Sequence, residues 1–159
     1  MTDPTAPGHG ELDWLVARFA EENPYVEQAA VVSSDGVLLA HSARGDAARA
    51  EHLAALTCGI TALALSCAEV AQGGGVRRTL VDLHRGCLLL YSLSEGALLA
   101  VHAADGCDLA LLGYQSTRLA RRAGAALTPA PRGGAHGRPA PAHPVPARPV
   151  PGALAWDPR

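Results

Sequence analysis

The stretch "AQGGGVRRTLVD", Ala71 to Asp82, sets Gly73, Gly74 and Gly75 beside Arg77 and Arg78. Glycines let a backbone curl round a phosphate and arginines supply charge, so the first chemistry to consider is nucleotide binding. A phosphate loop, however, follows a strand and opens a helix, because the free N–H groups and the positive dipole end lie at the helix N-terminus. Here the order is reversed. The glycines follow a long helical pattern and precede a strand-like run, and no Gly-Lys-Ser/Thr comes after them, so they read as a helix stop with a glycine as left-handed cap. No nucleotide or other cofactor is expected on this chain.

The remaining reactive side chains are scattered. Cys58, Cys67, Cys87 and Cys107 stand 9, 20 and 20 apart, without a C-x-x-C pair or a histidine at zinc-ligand spacing, and read as reduced core residues. His41, His52, His84 and His102 fall on two strand ends, a helix start and a central strand, again without metal-ligand spacing; His102 reads as a core histidine. Ser33 and Ser34 have no nucleophile elbow or adjacent base motif. Asp35 precedes Gly36 at a tight turn, which is reason enough for its presence. No catalytic residue and no metal site is expected, and the chain reads as a non-enzyme.

Composition bounds the partners. The 159 residues are 48% hydrophobic and 4% aromatic, which suits one domain built on Leu, Val and Ala. All 13 basic residues are arginine, which with abundant Ala, Gly and Pro suggests a GC-rich genome. Up to Leu127 there are 14 acidic residues against 9 arginines, so nucleic acid is not an expected partner. Arg118, Arg121 and Arg122 form a cluster late in a predicted helix, where cations meet the dipole favourably. The N-terminus "MTDPTAPGHG" has neither a basic nor an apolar signal region, so a cytoplasmic location is expected, with membrane association only through partners. The uncharged run Leu53 to Ala68 is 16 residues long, short of the roughly 20 needed to span a bilayer, and reads as a buried helix rather than an insertion.

The elements follow from periodicity. Leu12, Leu15, Val16 and Phe19 recur at helical spacing from Glu11 until Asn23-Pro24. "VEQAAVVS" and "GVLLAHS" flank Ser34-Asp35-Gly36 and predict a β-hairpin. From Asp46 to about Gln72 the pattern is helical, with an apolar seam of Leu53, Leu56, Ile60, Leu63, Cys67 and Val70 beside a row of small residues, Ala55, Gly59, Ala62 and Ser66. "VRRTLVDLH", "CLLLYSL" and "ALLAVHA" predict a three-strand meander; the first, rich in charge, suits a sheet edge, while the other two are apolar on both faces. Asp108 to Leu127 supplies a third helix. The fold class is therefore α/β (α+β), a five-stranded antiparallel sheet sandwiched between the long middle helix and the first and last helices.

A helix of about 27 residues spans about 40 Å, whereas an eight-residue strand spans about 26 Å. The middle helix should overhang its sheet. Its apolar and small residues are most simply buried against a second copy of the same helix, giving a homodimer whose interface holds Ala55, Gly59, Ala62, Ser66 and Leu63. Arg77 and Arg78, on the edge strand beside the two-fold axis, are the candidate partner-binding residues; blunting that edge against aggregation is the equal alternative. After Thr128 the sequence holds 9 of its 12 prolines and reads as a polyproline-like spacer. The expected organisation is a disordered N-terminus over 1–10, a domain over 11–127 and a disordered Pro/Ala/Arg-rich tail over 128–159.

This order of elements resembles the roadblock / dynein light chain family. "LDWLVARF", "AAVVSSDGVLLAHS", "AEHLAAL", "GGGVRRTLVDLHRGCLLLYS" and "LLGYQSTRLARRAG" look like the actinobacterial members, which are typically encoded beside a sensor kinase and a small GTPase. The likeness covers about Glu11 to Leu127, roughly three quarters of the chain. It implies a five-stranded sheet between helices, dimers joined through the long helix and the third strand, and no active site. The function it implies is a dimeric adaptor of a small Ras-like GTPase, within a complex that includes a sensor histidine kinase. Two other classes stay open: a small-molecule sensor, which needs an interior cavity, and a hydrolase.

Overall fold

The computed structural model describes residues 9–42 and 46–128. The expected N-terminal segment and the proline-rich tail lie outside these residues except for His9, Gly10 and Thr128. The first helix, α1 (His9–Glu22), begins two residues before Glu11, since its first N–H groups need no partner within the helix. Leu12, Leu15, Val16 and Phe19 are all buried, as their spacing predicts. The helix stops where the Asn23 side-chain amide donates to the Phe19 carbonyl at 2.8 Å, replacing the backbone ladder that Pro24 cannot continue.

Strands β1 (Val26–Val32) and β2 (Leu38–His41) form the expected hairpin. At its turn the Ser33 hydroxyl donates to the Asp35 carboxylate and accepts from the Val37 N–H, and Gly36 adopts a φ of +88°. The second helix, α2 (Ala47–Val70), starts at Asp46, whose carboxylate accepts from the Ala48 N–H. The meander β3 (Arg78–Leu83), β4 (Gly86–Ser92) and β5 (Leu98–Ala103) follows, then α3 (Leu109–Leu127), capped by Asp108, which accepts from Ala110 and Leu111 at 2.9 and 3.0 Å.

The sheet is antiparallel with order β2-β1-β5-β4-β3, so β3 is an edge strand as its charge predicts. One face packs on α1 and α3 through Val31, Leu89, Tyr91, Leu99 and Val101. Tyr91 and Ser94 fasten α3 there, their hydroxyls donating to the Gly113 and Gly124 carbonyls at 3.1 and 2.7 Å. The opposite face, with Ala30, Val32, Leu88, Leu90, Leu98 and Ala100, is covered by α2. Strands and helix layers thus match the sandwich expected from the sequence.

Two local expectations are corrected. The end of α2 is capped by Gln72, not by a glycine: Gln72 takes the left-handed conformation at φ +53°. Its N–H donates to Glu69 and that of Gly73 to Ala68, a Schellman pair that satisfies the last carbonyls. The arginines of α3 lie short of its last turn, which carries no basic residue. Arg118 instead stacks over Tyr114 and Arg122 over Trp14, at 6.0 and 5.8 Å, so aromatic faces replace the helix dipole as their partners.

Candidate interaction face

The stripe of α2 that meets the sheet is Ala50, Ala54, Thr57 and Thr61, flanked by the half-buried Leu53, Cys58 and Ile60. Small residues suit this position because the sheet already presents Leu88, Leu90 and Leu98, leaving no room for a second leucine layer. Thr57 removes its polar cost by donating to the Leu53 carbonyl at 2.7 Å. The large apolar seam therefore divides: Leu53 and Ile60 border the sheet contact, and the rest of the seam leaves it. Leu63 is 69% exposed and Val70 88%, Leu56 and Cys67 are exposed as well, and so is the small row Ala55, Gly59, Ala62 and Ser66. Reading α2 as a buried helix is thus overturned for the single chain: at 100° per residue the small row lies opposite Thr57, and Leu56, Leu63 and Val70 lie on the flank beside it, turned away from the sheet. By length and composition alone α2 would also cross a bilayer.

The outward face combines exposed leucines with a groove of small side chains, which is the surface relief that lets two helices interlock. A Cβ added at Gly59 meets nothing within 4 Å, so the row is empty along its length at that point. The helix is about 36 Å long, against roughly 24 Å for the longest strands, and the bare C-terminal third ends at Val70.

Arg78 opens β3 and Arg77 directly precedes it; both are exposed, and neither pairs with a carboxylate among the described residues. Arg78 pairs in register with Tyr91, whose side chain packs on the α3 side of the sheet. It lines an open groove of about 520 Å³ with Leu80, Leu109 and Tyr114. Arg77 lines a neighbouring groove with Tyr91 and Arg121. The two arginines are therefore together, but Arg78 lies across the sheet from α2, so the candidate partner residues and the candidate dimer row do not share one face. Beyond β3 no further strand pairs among the described residues, and its outer edge is open.

The reactive residues are not gathered. His52 and His84 are exposed, His41 Nδ1 lies 3.0 Å from the Ser42 carbonyl, and His102 Nδ1 lies 3.1 Å from Glu27 Oε2, which gives the half-buried His102 a carboxylate partner rather than the apolar surroundings of a core histidine. No group of three His, Cys, Asp or Glu among the described residues is placed to hold a metal ion. The cysteines are free, but only Cys87 is buried, so the core reading fails for Cys67, which is exposed on α2, and holds in part for Cys58 and Cys107. Burial, with a smaller contribution from Asp35, pushes the Cys58 thiol up, so it does not ionise readily. The glycines of the opening motif follow the C-terminus of α2, where carbonyls and not N–H groups point outward. A sensor domain needs an enclosed cavity of about 300 Å³ or more. The space between α1 and α3 is about 100 Å³, and the larger grooves are open to solvent.

Thr57 and Thr61 are what sequence reasoning missed. The signal was present in the spacing of Ala50, Ala54, Thr57 and Thr61, which is as helical as that of the leucines.

The sequence matches the profile of the Roadblock/LC7 domain over residues 12–103. A Roadblock/LC7 domain from Streptomyces avermitilis is 32% identical, with a TM-score of 0.64, over 68% of this chain and 90% of that one. Two more distant structures share the fold. MglB of Myxococcus xanthus is 14% identical, TM-score 0.65, over 76% of this chain and 87% of its own. The gliding protein mglB of Thermus thermophilus is 16% identical, TM-score 0.68, over 79% and 97%. No curated protein matches the chain. With residues 12–103 matched and the helix order and sheet order in agreement, the chain belongs to the Roadblock/LC7 domain family.

Proposed function

We propose that this protein is a non-enzymatic, dimeric adaptor that binds a small Ras-like GTPase in a bacterial signalling complex and tunes its nucleotide cycle or location. The observation that carries the reading is the outward face of α2, where Leu56, Leu63 and Val70 are exposed beside the small row Ala55, Gly59, Ala62 and Ser66. An apolar face this contiguous is a protein-binding surface in a water-soluble chain, and a second copy of the same helix matches it residue for residue about a two-fold axis. The open edge of β3 lies beside that axis and extends the contact. Packing of Thr57 and Thr61 on the sheet argues against insertion of α2 in a bilayer, since insertion would strip the sheet of its cover. The setting is cytoplasmic, with a sensor histidine kinase in the same assembly and membrane association through such partners.

The GTPase enters through the family likeness, and Arg77 and Arg78 are the residues proposed to meet it. Capture of a small Ras-like GTPase from the same organism, loaded with GDP or a GTP analogue, tests the reading. Full-length protein and residues 1–127 are expected to capture it equally, and Arg77→Glu/Arg78→Glu to capture it less. Loss of capture only on truncation moves recognition to residues 128–159. Absence of capture in both nucleotide states overturns the adaptor reading for that pair.

A further inference from the structure

Cys87 lies on β4 with its side chain in the core between the sheet and the α1/α3 layer, and Cys107 lies in the loop that leads from β5 into α3. Their sulfurs are 4.0 Å apart, closer than any other pair of thiols recorded among the described residues. A disulfide needs a separation of about 2.05 Å, so the remaining approach is about 2 Å, within reach of side-chain rotation and a small shift of the loop. Cys107 is half-buried and immediately precedes Asp108, the residue that caps α3, whereas Cys58 and Cys67 sit on α2 across the sheet.

We propose that Cys87 and Cys107 form an oxidation site, at which a hydroperoxide converts the two thiols to an intramolecular disulfide that ties the start of α3 to β4. The more accessible Cys107 sulfur attacks the outer peroxide oxygen. The O–O bond breaks, the thiol proton goes to the departing oxygen, and Cys107 becomes a sulfenic acid. The Cys87 sulfur then attacks the Cys107 sulfur; the S–O bond breaks and its oxygen leaves as water with the Cys87 proton. The two thiols lose two electrons, and the hydroperoxide is reduced to water and an alcohol, or to two waters if it is hydrogen peroxide. The order of attack has a second support, because burial, then the Cys107 and Asp82 charges, push the Cys87 thiol up to about 11 and leave it a poor first nucleophile at neutral pH.

The bridge closes a loop that contains all of β5 and most of β4, which constrains the unfolded chain, and it fixes the end of α3 that carries the exposed Leu109, Leu111 and Tyr114. The loop lies in the domain core and does not involve α2, so it acts on a different surface from the proposed dimer face.

The test uses the full chain with Cys58→Ser/Cys67→Ser, to remove the other thiols, treated with hydrogen peroxide and analysed unreduced. The expected result is a mass loss of about 2 Da for two protons, peptides linked through Cys87 and Cys107, and a rise in Tm on the order of 10 °C that dithiothreitol reverses. Adding Cys107→Ser is expected to abolish both bridge and rise; Cys87→Ala is the second variant, kept apolar because its site is core. Thiols that survive peroxide unchanged, sulfinic acid at Cys107 without a bridge, or an equal rise in Tm in the Cys107→Ser protein each overturn the proposal.

Discussion

Gly59→Leu separates the two surfaces of α2. Within one chain the new side chain meets open space, since nothing lies within 4 Å of a Cβ at that position. Replacing glycine inside a helix also removes its entropic disadvantage, so the isolated domain should gain about 0.5–1 kcal/mol. In the proposed dimer the same position lies where two helices approach through small residues. Filling that groove costs about 1–3 kcal/mol per copy through overpacking, and the two-fold axis makes the change occur twice. The dissociation constant should therefore rise by roughly thirty-fold to about twenty-thousand-fold. Sedimentation equilibrium or light scattering over a concentration series reads the association. Urea unfolding of the variant, at a concentration where it is monomeric, reads the fold, because the stability of a dimer varies with concentration. Unchanged association in Gly59→Leu refutes the assignment of the small row to the interface, and a monomeric wild-type protein at high micromolar concentration refutes the dimer itself.

Gly86→Ala should cost about 3 kcal/mol or more, read as a marked drop in Tm, because Gly86 has φ +102° and a Cβ there would lie 2.1 Å from the Ala103 carbonyl oxygen. The Ser33 hydroxyl, and then the backbone of its own residue, hold the Asp35 carboxyl below its usual range. Its folded pKa is thus below the unfolded one, so its contribution is present at neutral pH and is lost as pH falls through the carboxylate range; Asp35→Ala should flatten the acid limb of stability below about pH 4, measured by urea unfolding across pH. Under iodoacetamide at neutral pH, Cys67 should react first and the buried Cys87 last in monomeric Gly59→Leu, where the face of α2 that carries Cys67 is free, an order that peptide mass spectrometry reads directly.

Much of the fold is legible because each strand carries its own signal. Asp35-Gly36 fixes the first hairpin, the doubly apolar "CLLLYS" and "LLAVHA" mark interior strands, and Arg78 with Asp82 marks the edge. The site is less legible, and α2 shows why. A helix that serves the sheet on one side and a partner on the other carries apolar residues all round, so periodicity finds both faces without saying which is inside. Side-chain size misleads further, since the sheet supplies the bulk and its covering stripe is Ala and Thr. Gln72 is hidden for a related reason: three glycines lie directly after it, yet the helix closes its last carbonyls one residue earlier. The packing of Arg122 on Trp14 depends on α1 and α3 meeting in space, which spacing along the chain does not carry, whereas Arg118 over Tyr114 is an i,i+4 pair within α3.

In the function proposed above, a dimer and not a single chain engages the small GTPase. Titration calorimetry of a small Ras-like GTPase from the same organism, held in its GDP form or with a GTP analogue, against wild-type protein and against Gly59→Leu tests this most directly. The predicted result is saturable binding to the wild-type dimer in one nucleotide state, with binding to the folded Gly59→Leu monomer weakened at least ten-fold, about 1.4 kcal/mol or more. Equal binding by the monomeric variant, or no binding by the wild-type dimer in either nucleotide state, contradicts it.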